Sequence, residues 1–234
     1  MILPSHSWDV LARLPLEPPP DMIALAEARR VGDPVATPEP SASVILLRDA
    51  AAGVETYLLH RHARMPFAAS MVVFPGGRVD PVDQTTGSDP LRVCAVRETA
   101  EETGVQLSQD DLVPWAHWIT PEPEPRRYDT HFFLAVLPED QEAQDVSGET
   151  DRAAWDSPSA ALAAADRGEI ALMPPTRAIL LELAEADGVA ELLTVASDRV
   201  IEYVLPEVIK TGSGWLIRYP SRLQEGSGGT SWLR

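Results

Sequence analysis

Short, dense apolar runs alternate along this chain with polar stretches rich in proline, glycine and acid. Residues 43–48 (SVILLR) and 55–61 (ETYLLHR) have strand length and β-branched or aliphatic content; the DAAAG between them, with Gly53 in the turn, predicts a hairpin. A third run, 71–74 (MVVF), stops at Pro75-Gly76-Gly77, and the stretch 78–90 (RVDPVDQTTGSDP) lacks periodicity and predicts a loop. Residues 90–103 read as a helix, with Asp89 able to cap it, Pro90 in its first turn and Gly104 at the position just past its end. Strand-like runs resume at 113–119 (VPWAHWI) and 130–137 (THFFLAVL), across a loop rich in Pro, Glu and Arg. An acidic segment (138–151), helical patterns at 158–167 and about 174–196, and a strand-like run at 199–209 follow.

Prolines cluster at 15–20 and 34–40 and bracket a helical segment, 21–30, with Asp21 as its expected N-cap. This organisation predicts a Pro-rich N-terminal arm over 1–40, one domain over 41–210, and a partly flexible C-terminal extension over 211–234. Strands and helices mix without strict alternation, and no internal repeat is visible. The expected class is α/β or α+β around a mixed sheet.

Composition narrows the partners. With 234 residues, 44% hydrophobic and 24% charged, the chain is long and apolar enough for a real core. Its 36 acidic against 19 basic side chains give a net charge of −17, which argues against coating nucleic acid or adsorbing to anionic lipid. A phosphate ligand would therefore need a metal ion or a local group of arginines. The single cysteine, Cys94, permits no internal disulfide, and no Cys/His group has zinc spacing. His60, His62, His117 and His131 read as packing or surface residues. Neither a secretory leader nor a membrane span is expected, so the predicted setting is cytoplasmic.

The chemistry concentrates in residues 97–105, RETAEETGV. On a helix Glu98, Glu101 and Glu102 lie at i, i+3 and i+4, within an arc of about 100° bordered by Arg97. Val93, Val96 and Ala100 fall on the opposite side, which is expected to bury against a sheet. Carboxylates crowded in this way repel, and a hard divalent cation turns that repulsion into binding. Gly76-Gly77 after a strand allows close backbone approach.

Together, Phe74-Pro75-Gly76-Gly77 and Arg97 to Val105 resemble the signature of the Nudix hydrolases, G-x5-E-x7-R-E-U-x-E-E-x-G-U, with U a bulky apolar residue. The second half matches residue for residue, except that Thr99 stands where an aliphatic is usual. In the first half the family's glycine precedes the arginine by 14 positions; Gly77 precedes Arg97 by 20, so six residues are inserted. Asp89 occupies the position eight before Arg97, while Asp80 and Asp83 read as solvated turn residues. Further motifs are similar to the coenzyme A and acyl-coenzyme A diphosphatase branch: Leu58-Leu59-x-Arg61, Met65-Pro66-Phe67, Asp80-Pro81, and Arg126-Arg127-Tyr128-Asp129-Thr130-x-Phe132-Phe133. Ser70 stands where that branch has a glycine.

The resemblance implies an α/β/α sandwich with a mixed sheet, and hydrolysis of a diphosphate linked to another moiety by water attack on phosphorus, with Mg²⁺ or Mn²⁺. It implies Glu98 and Glu102 as principal metal ligands, Glu101 joining for a second ion, the Gly77 carbonyl completing the shell, and Arg97 holding Glu101 or its neighbour. A general base is expected from the acidic loop, among Glu142, Asp145, Glu149 and Asp151, with Glu149 preferred. Arg61, Arg126 and Arg127 are expected to meet substrate anions. The partner is a small nucleotide-type substrate, a coenzyme A derivative or another nucleoside diphosphate conjugate; a homodimer through the arm is allowed, but no residue specifies it. The alternatives are a non-catalytic Nudix-like sensor of a nucleotide metabolite, or a hydrolase of ADP-ribose, NADH or nucleoside triphosphates.

Overall fold

The computed structural model describes residues 8–61, 70–85, 87–146, 148, 150–221 and 231–232. Helices α1 (Trp8–Leu11) and α2 (Pro20–Ala28) lead into the hairpin of β1 (Glu39–Ala50) and β2 (Gly53–Arg61). Strands β3 (Met71–Val73) and β4 (Gly76–Arg78) precede helix α3 (Pro90–Thr103), and β5 (Val113–Ile119), β6 (Tyr128–Val136) and β7 (Thr150–Asp156) follow it. Next come α4 (Pro158–Asp166), β8 (Ala171–Leu172), α5 (Pro174–Leu183), α6 (Val189–Ser197), β9 (Tyr203–Val204) and a hairpin of β10 (Glu207–Thr211) and β11 (Gly214–Arg218).

Nine strands form the main sheet in the order β8-β3-β2-β1-β6-β5-β9, with β4 also on β1 and β7 also on β2. The sheet is mixed: β1 runs antiparallel to β2 and β4 but parallel to β6. Val44, Ile45, Leu46 and Leu47 are all fully buried, which explains why this run reads as continuous rather than alternating. Ile45 and Leu47 face one core with Leu58, Leu134 and residues of α1, α4, α5 and α6. Val44 and Leu46 face a second core with Leu59, Phe133 and, from α3, Cys94 and Ala95. Helices therefore cover both faces of the sheet.

Several expectations are corrected. The strand expected to start at Ser43 begins at Glu39, because parallel pairing with β6 extends back to Glu39 opposite Tyr128. Pro40 fits there: it lacks an N–H, and its carbonyl accepts from the Val79 amide at 2.9 Å. Asp21 lies in the first turn of α2 rather than at the cap, which is Pro19. The loop 78–90 holds a 3₁₀ turn at Pro81–Gln84, and the end of the acidic segment becomes the edge strand β7. The helical pattern at 174–196 splits at Gly188, and the strand-like run 199–209 resolves into β9 and the start of β10. Part of the Pro-rich arm packs on the domain: Val10, Leu11 and Leu14 are buried in the same core as Ile217 and Tyr219. Among the described residues no helix is long and apolar enough to cross a membrane.

Candidate active site

Helix α3 starts and stops where its sequence dictates. Asp89 accepts a hydrogen bond from the Leu91 amide at 3.0 Å, and Gly104 closes the helix at φ 74°. Its buried face differs from the expected one. Cys94, Ala95, Thr99, Glu102 and Thr103 are buried, whereas Val93, Val96 and Ala100 are only half-buried. The helix thus turns Glu98 and Glu102 inward, towards the sheet, and leaves Glu101 at the rim with its side chain 58% exposed.

Strand β4 meets these carboxylates with a wall that has no side chains. The Gly76 amide donates to Glu102 Oε2 at 2.8 Å. A Cβ on Gly77 would lie 2.3 Å from Glu98 Oε1, so only glycine permits this approach. At Gly76 a Cβ would lie 2.4 Å from the Ala42 carbonyl oxygen, and φ is +154°. Burial pushes the Glu98 carboxyl up from its ordinary value, although Arg97 pulls it the other way. Burial likewise pushes the Cys94 thiol up to about 12, which makes it a packing residue; its Sγ approaches the Gly77 carbonyl at 3.5 Å.

Arg97 is the hub of the site. Its Nη1 donates to Glu98 at 2.8 Å and Glu101 at 3.1 Å, while Nε and Nη2 grip Asp83 at 2.9 and 2.8 Å. Asp83, expected to be a solvated turn residue, is instead buried, with a side chain 1% exposed. Hydrogen bonding to Arg97 holds its carboxyl below the ordinary range. A signal for this role is present in the sequence. Counting forward from Gly77 rather than back from Arg97, the first acidic position of the signature falls on Asp83, so the six extra residues follow Asp83. Asp89 is left as the helix cap.

A cavity of about 470 Å³ opens over these groups, a volume suited to a small-molecule ligand. Glu98, Glu102, Gly76, Gly77, Arg61 and Arg126 line it together. Among the described residues Arg61 Nε is buried without a hydrogen-bond partner. Arg126 is exposed, whereas Arg127 is buried away from the lining and donates to the backbone carbonyls of Thr120 and Ala36. Trp118, Phe132, Met173 and Tyr219, with Met22 from α2, supply an apolar wall. Of the acidic loop, Glu142, Asp145 and Asp151 are exposed and not part of the lining, and Glu149 lies outside the described residues. That loop bonds to the end of α3 through Gln144 to Thr103 (2.9 Å) and Val146 to Glu102 (3.3 Å).

The donor set fits a hard divalent cation. It offers only oxygens, from two carboxylates one helical turn apart, against a wall that a Cβ would fill. Glu98 and Glu102 would hold such an ion, with Glu101 available from the rim. His62 lies outside the described residues.

Comparison with known proteins agrees with this geometry. The NUDIX domain profile matches residues 37–174, and the chain belongs to that family. A Caenorhabditis elegans protein carrying the provisional name nudix hydrolase 7 is 32% identical over 154 residues, 50% of this chain and 52% of its own length. The chain thus spans about half the length of that curated relative. The crystal structure of a NUDIX hydrolase from Alicyclobacillus acidocaldarius superposes with a TM-score of 0.61 at 25% identity, covering 68% of this chain and 96% of that one.

Proposed function

We propose that the protein is a Nudix hydrolase that cleaves the diphosphate linkage of a nucleoside diphosphate derivative, with coenzyme A or acyl-coenzyme A as its substrate. The observation that carries this reading is that Glu98, Glu102 and Arg61 line one cavity together. When bound, Mg²⁺ or Mn²⁺ neutralises phosphoryl charge and acidifies water at a site built from oxygen ligands. Glu98 and Glu102 hold that ion, and Glu101 serves a second one. Arg97 is a positioning residue: Asp83 fixes its fork, and the fork fixes Glu98 and Glu101. Arg61 and Arg126, both in the cavity lining, meet substrate phosphate oxygens. Glu149 takes the proton of the attacking water.

The coenzyme A assignment rests on the sequence motifs and on the apolar wall of Trp118, Phe132, Met173 and Tyr219, which suits a pantetheine or acyl chain beside the diphosphate. The test is turnover of a substrate panel with Mg²⁺ or Mn²⁺: coenzyme A, acyl-coenzyme A esters, NADH, ADP-ribose, dinucleoside polyphosphates and nucleoside triphosphates. The expected result is preferred cleavage of coenzyme A derivatives, abolished by a chelator and restored by the ion. Preferred cleavage of another member would replace the substrate, and binding without turnover of any member would sink the enzyme reading. Glu102→Gln should lower kcat by at least about 10³-fold with the fold retained.

A further inference from the structure

The face of the sheet that carries α3 holds a second group of metal-binding side chains, apart from the glutamate cavity. The register of β5 on β6 sets His117 directly opposite His131, and Asp129 lies two residues before His131 on the same face. Their spacing of 12 and 14 positions from His117 is not a local motif, so it passes unnoticed in the sequence. Cross-strand pairing creates it. One ligand atom from each of the three residues lies within 4.8 Å of the other two. Asp129 Oδ1 is hydrogen-bonded to His117 Nε2 and lies 3.9 Å from His131 Nε2, so both ring nitrogens face one carboxylate oxygen. None of the three lines the cavity over Glu98 and Glu102.

We propose that His117, Asp129 and His131 form a zinc-class metal site, distinct from the magnesium-type site on α3. Two imidazoles and one carboxylate suit a borderline ion such as Zn²⁺ or Co²⁺, whereas Mg²⁺ prefers the all-oxygen set of the glutamates. A tetrahedral ion with bonds of about 2.1 Å needs donors about 3.4 Å apart. His131 must therefore close by about half an ångström from 3.9 Å, and the hydrogen bond between His117 and Asp129 must open. Both are side-chain adjustments. The imidazoles stack with centroids 4.0 Å apart, an arrangement that two cationic rings together would resist. Burial and the neighbouring His117 push the His131 ring towards its neutral form, against the opposing pull of Asp129 and Asp89. Tyr203 covers His117 edge-on, and side-chain exposures of 17% for His117, 37% for Asp129 and 32% for His131 leave an entry path and room for water as a further ligand. The bound ion would cross-link β5 to β6 near the cap of α3.

The site rests on these three side chains and not on the hydrolase reading, and the experiment keeps the two apart. Chelator-treated full-length protein is titrated with Co²⁺ in excess Mg²⁺, and its visible ligand-field bands are recorded. One equivalent should bind with bands of nitrogen–oxygen ligation, and Zn²⁺ should displace it. His131→Ala and His117→Gln should each abolish the bands, while the Glu98→Gln/Glu102→Gln double variant should keep them. Zn²⁺ should also raise the unfolding midpoint of that double variant, and should leave the midpoint of His131→Ala and of Asp129→Asn unchanged. The proposal is overturned by an absence of Co²⁺ binding in excess Mg²⁺, by bands that persist without either histidine, or by bands lost with the two glutamates. A histidine variant that does not fold gives no bands to read, and the Zn²⁺ shift of the double variant then decides.

Discussion

Asp83 and Arg97 carry the largest concentration of charge-assisted hydrogen bonds around the carboxylates of α3. The Arg97 guanidinium reaches three acidic side chains at once, but only Asp83 is bound in a two-pronged grip. Asp83→Asn should therefore cost about 2 kcal/mol in urea unfolding at neutral pH, the range for hydrogen bonds to charged groups. Its pH dependence follows from the lowered native carboxyl. Stability from such a group is complete above the unfolded value of about 3.9 and is lost as pH falls below it through the native value. The gap between wild type and Asp83→Asn should therefore close on that acid limb; a gap independent of pH there would mean that the pair is not the source. Glu98 behaves in the opposite sense. Its raised carboxyl penalises the folded state at neutral pH and ceases to do so in acid. Glu98→Gln should therefore raise the thermal midpoint of the metal-free protein at neutral pH while removing metal-dependent turnover, the trade expected where function requires a buried charge. The glutamates and Arg97 were legible in the sequence because their chemistry sits within one helical turn. Asp83 was harder to read because insertion shifts its spacing from Arg97, although not from Gly77.

At the scale of elements, the site is a helix held against a two-glycine strand, and both were readable for local reasons. The bounds of α3 follow from Asp89, Pro90 and Gly104. The break at Gly76-Gly77 was visible too, but its strand character was not, because pairing with β1 comes from tertiary contact. The same limit explains β7, whose residues Thr150–Asp156 carry little apolar pattern and become a strand only by pairing with β2. It also explains the inward turn of Glu98 and Glu102, which α3 adopts because Cys94, Ala95 and Thr99 are small enough to pack closely on β1. Gly77→Ala tests the contact between helix and strand. Gly77, unlike Gly76, has no left-handed φ, so alanine is tolerated by the backbone, and its Cβ collides first with the Glu98 carboxylate. Displacing a ligand by about 1 Å is worth about 10²-fold in rate. The expected outcome is a loss of kcat of that order with weakened Mn²⁺ binding and an unfolding midpoint within a few degrees of wild type. Full activity in Gly77→Ala would place Glu98 outside the metal-binding set.

Across the whole molecule, the segments that flank the family-matched region are parts of one core rather than appendages. The matched region ends at residue 174, yet Ile179, Leu180 and Leu183 of α5, Leu192 of α6 and Tyr219 just after β11 are buried with Leu11 and Leu14 of the arm. Hydrogen bonds tie the two ends together: the Ile217 amide donates to the Leu16 carbonyl at 2.7 Å, and the Tyr219 hydroxyl to that of Pro15 at 3.3 Å. The prolines at 15–20 mark this segment as an arm that packs on the domain in part, since proline cannot continue a helix or donate to a sheet. The carbonyls of Pro15 and Leu16 accept, and the C-terminal segment supplies the donors. The same ends reach the cavity, where Met22, Ile217 and Tyr219 form part of its wall. Stability and substrate fit should therefore respond to different residues of one segment. Leu11 is fully buried, so Leu11→Ala should cost about 2–5 kcal/mol in urea unfolding and leave KM unchanged in the folded fraction. Met22 is half-buried at the cavity, so Met22→Ala should cost little stability but raise KM for the longer acyl-coenzyme A esters more than for coenzyme A itself. Equal effects of Met22→Ala on all esters would place the acyl chain elsewhere in the cavity, and a Leu11→Ala protein as stable as wild type would show that the arm docks without contributing to the core.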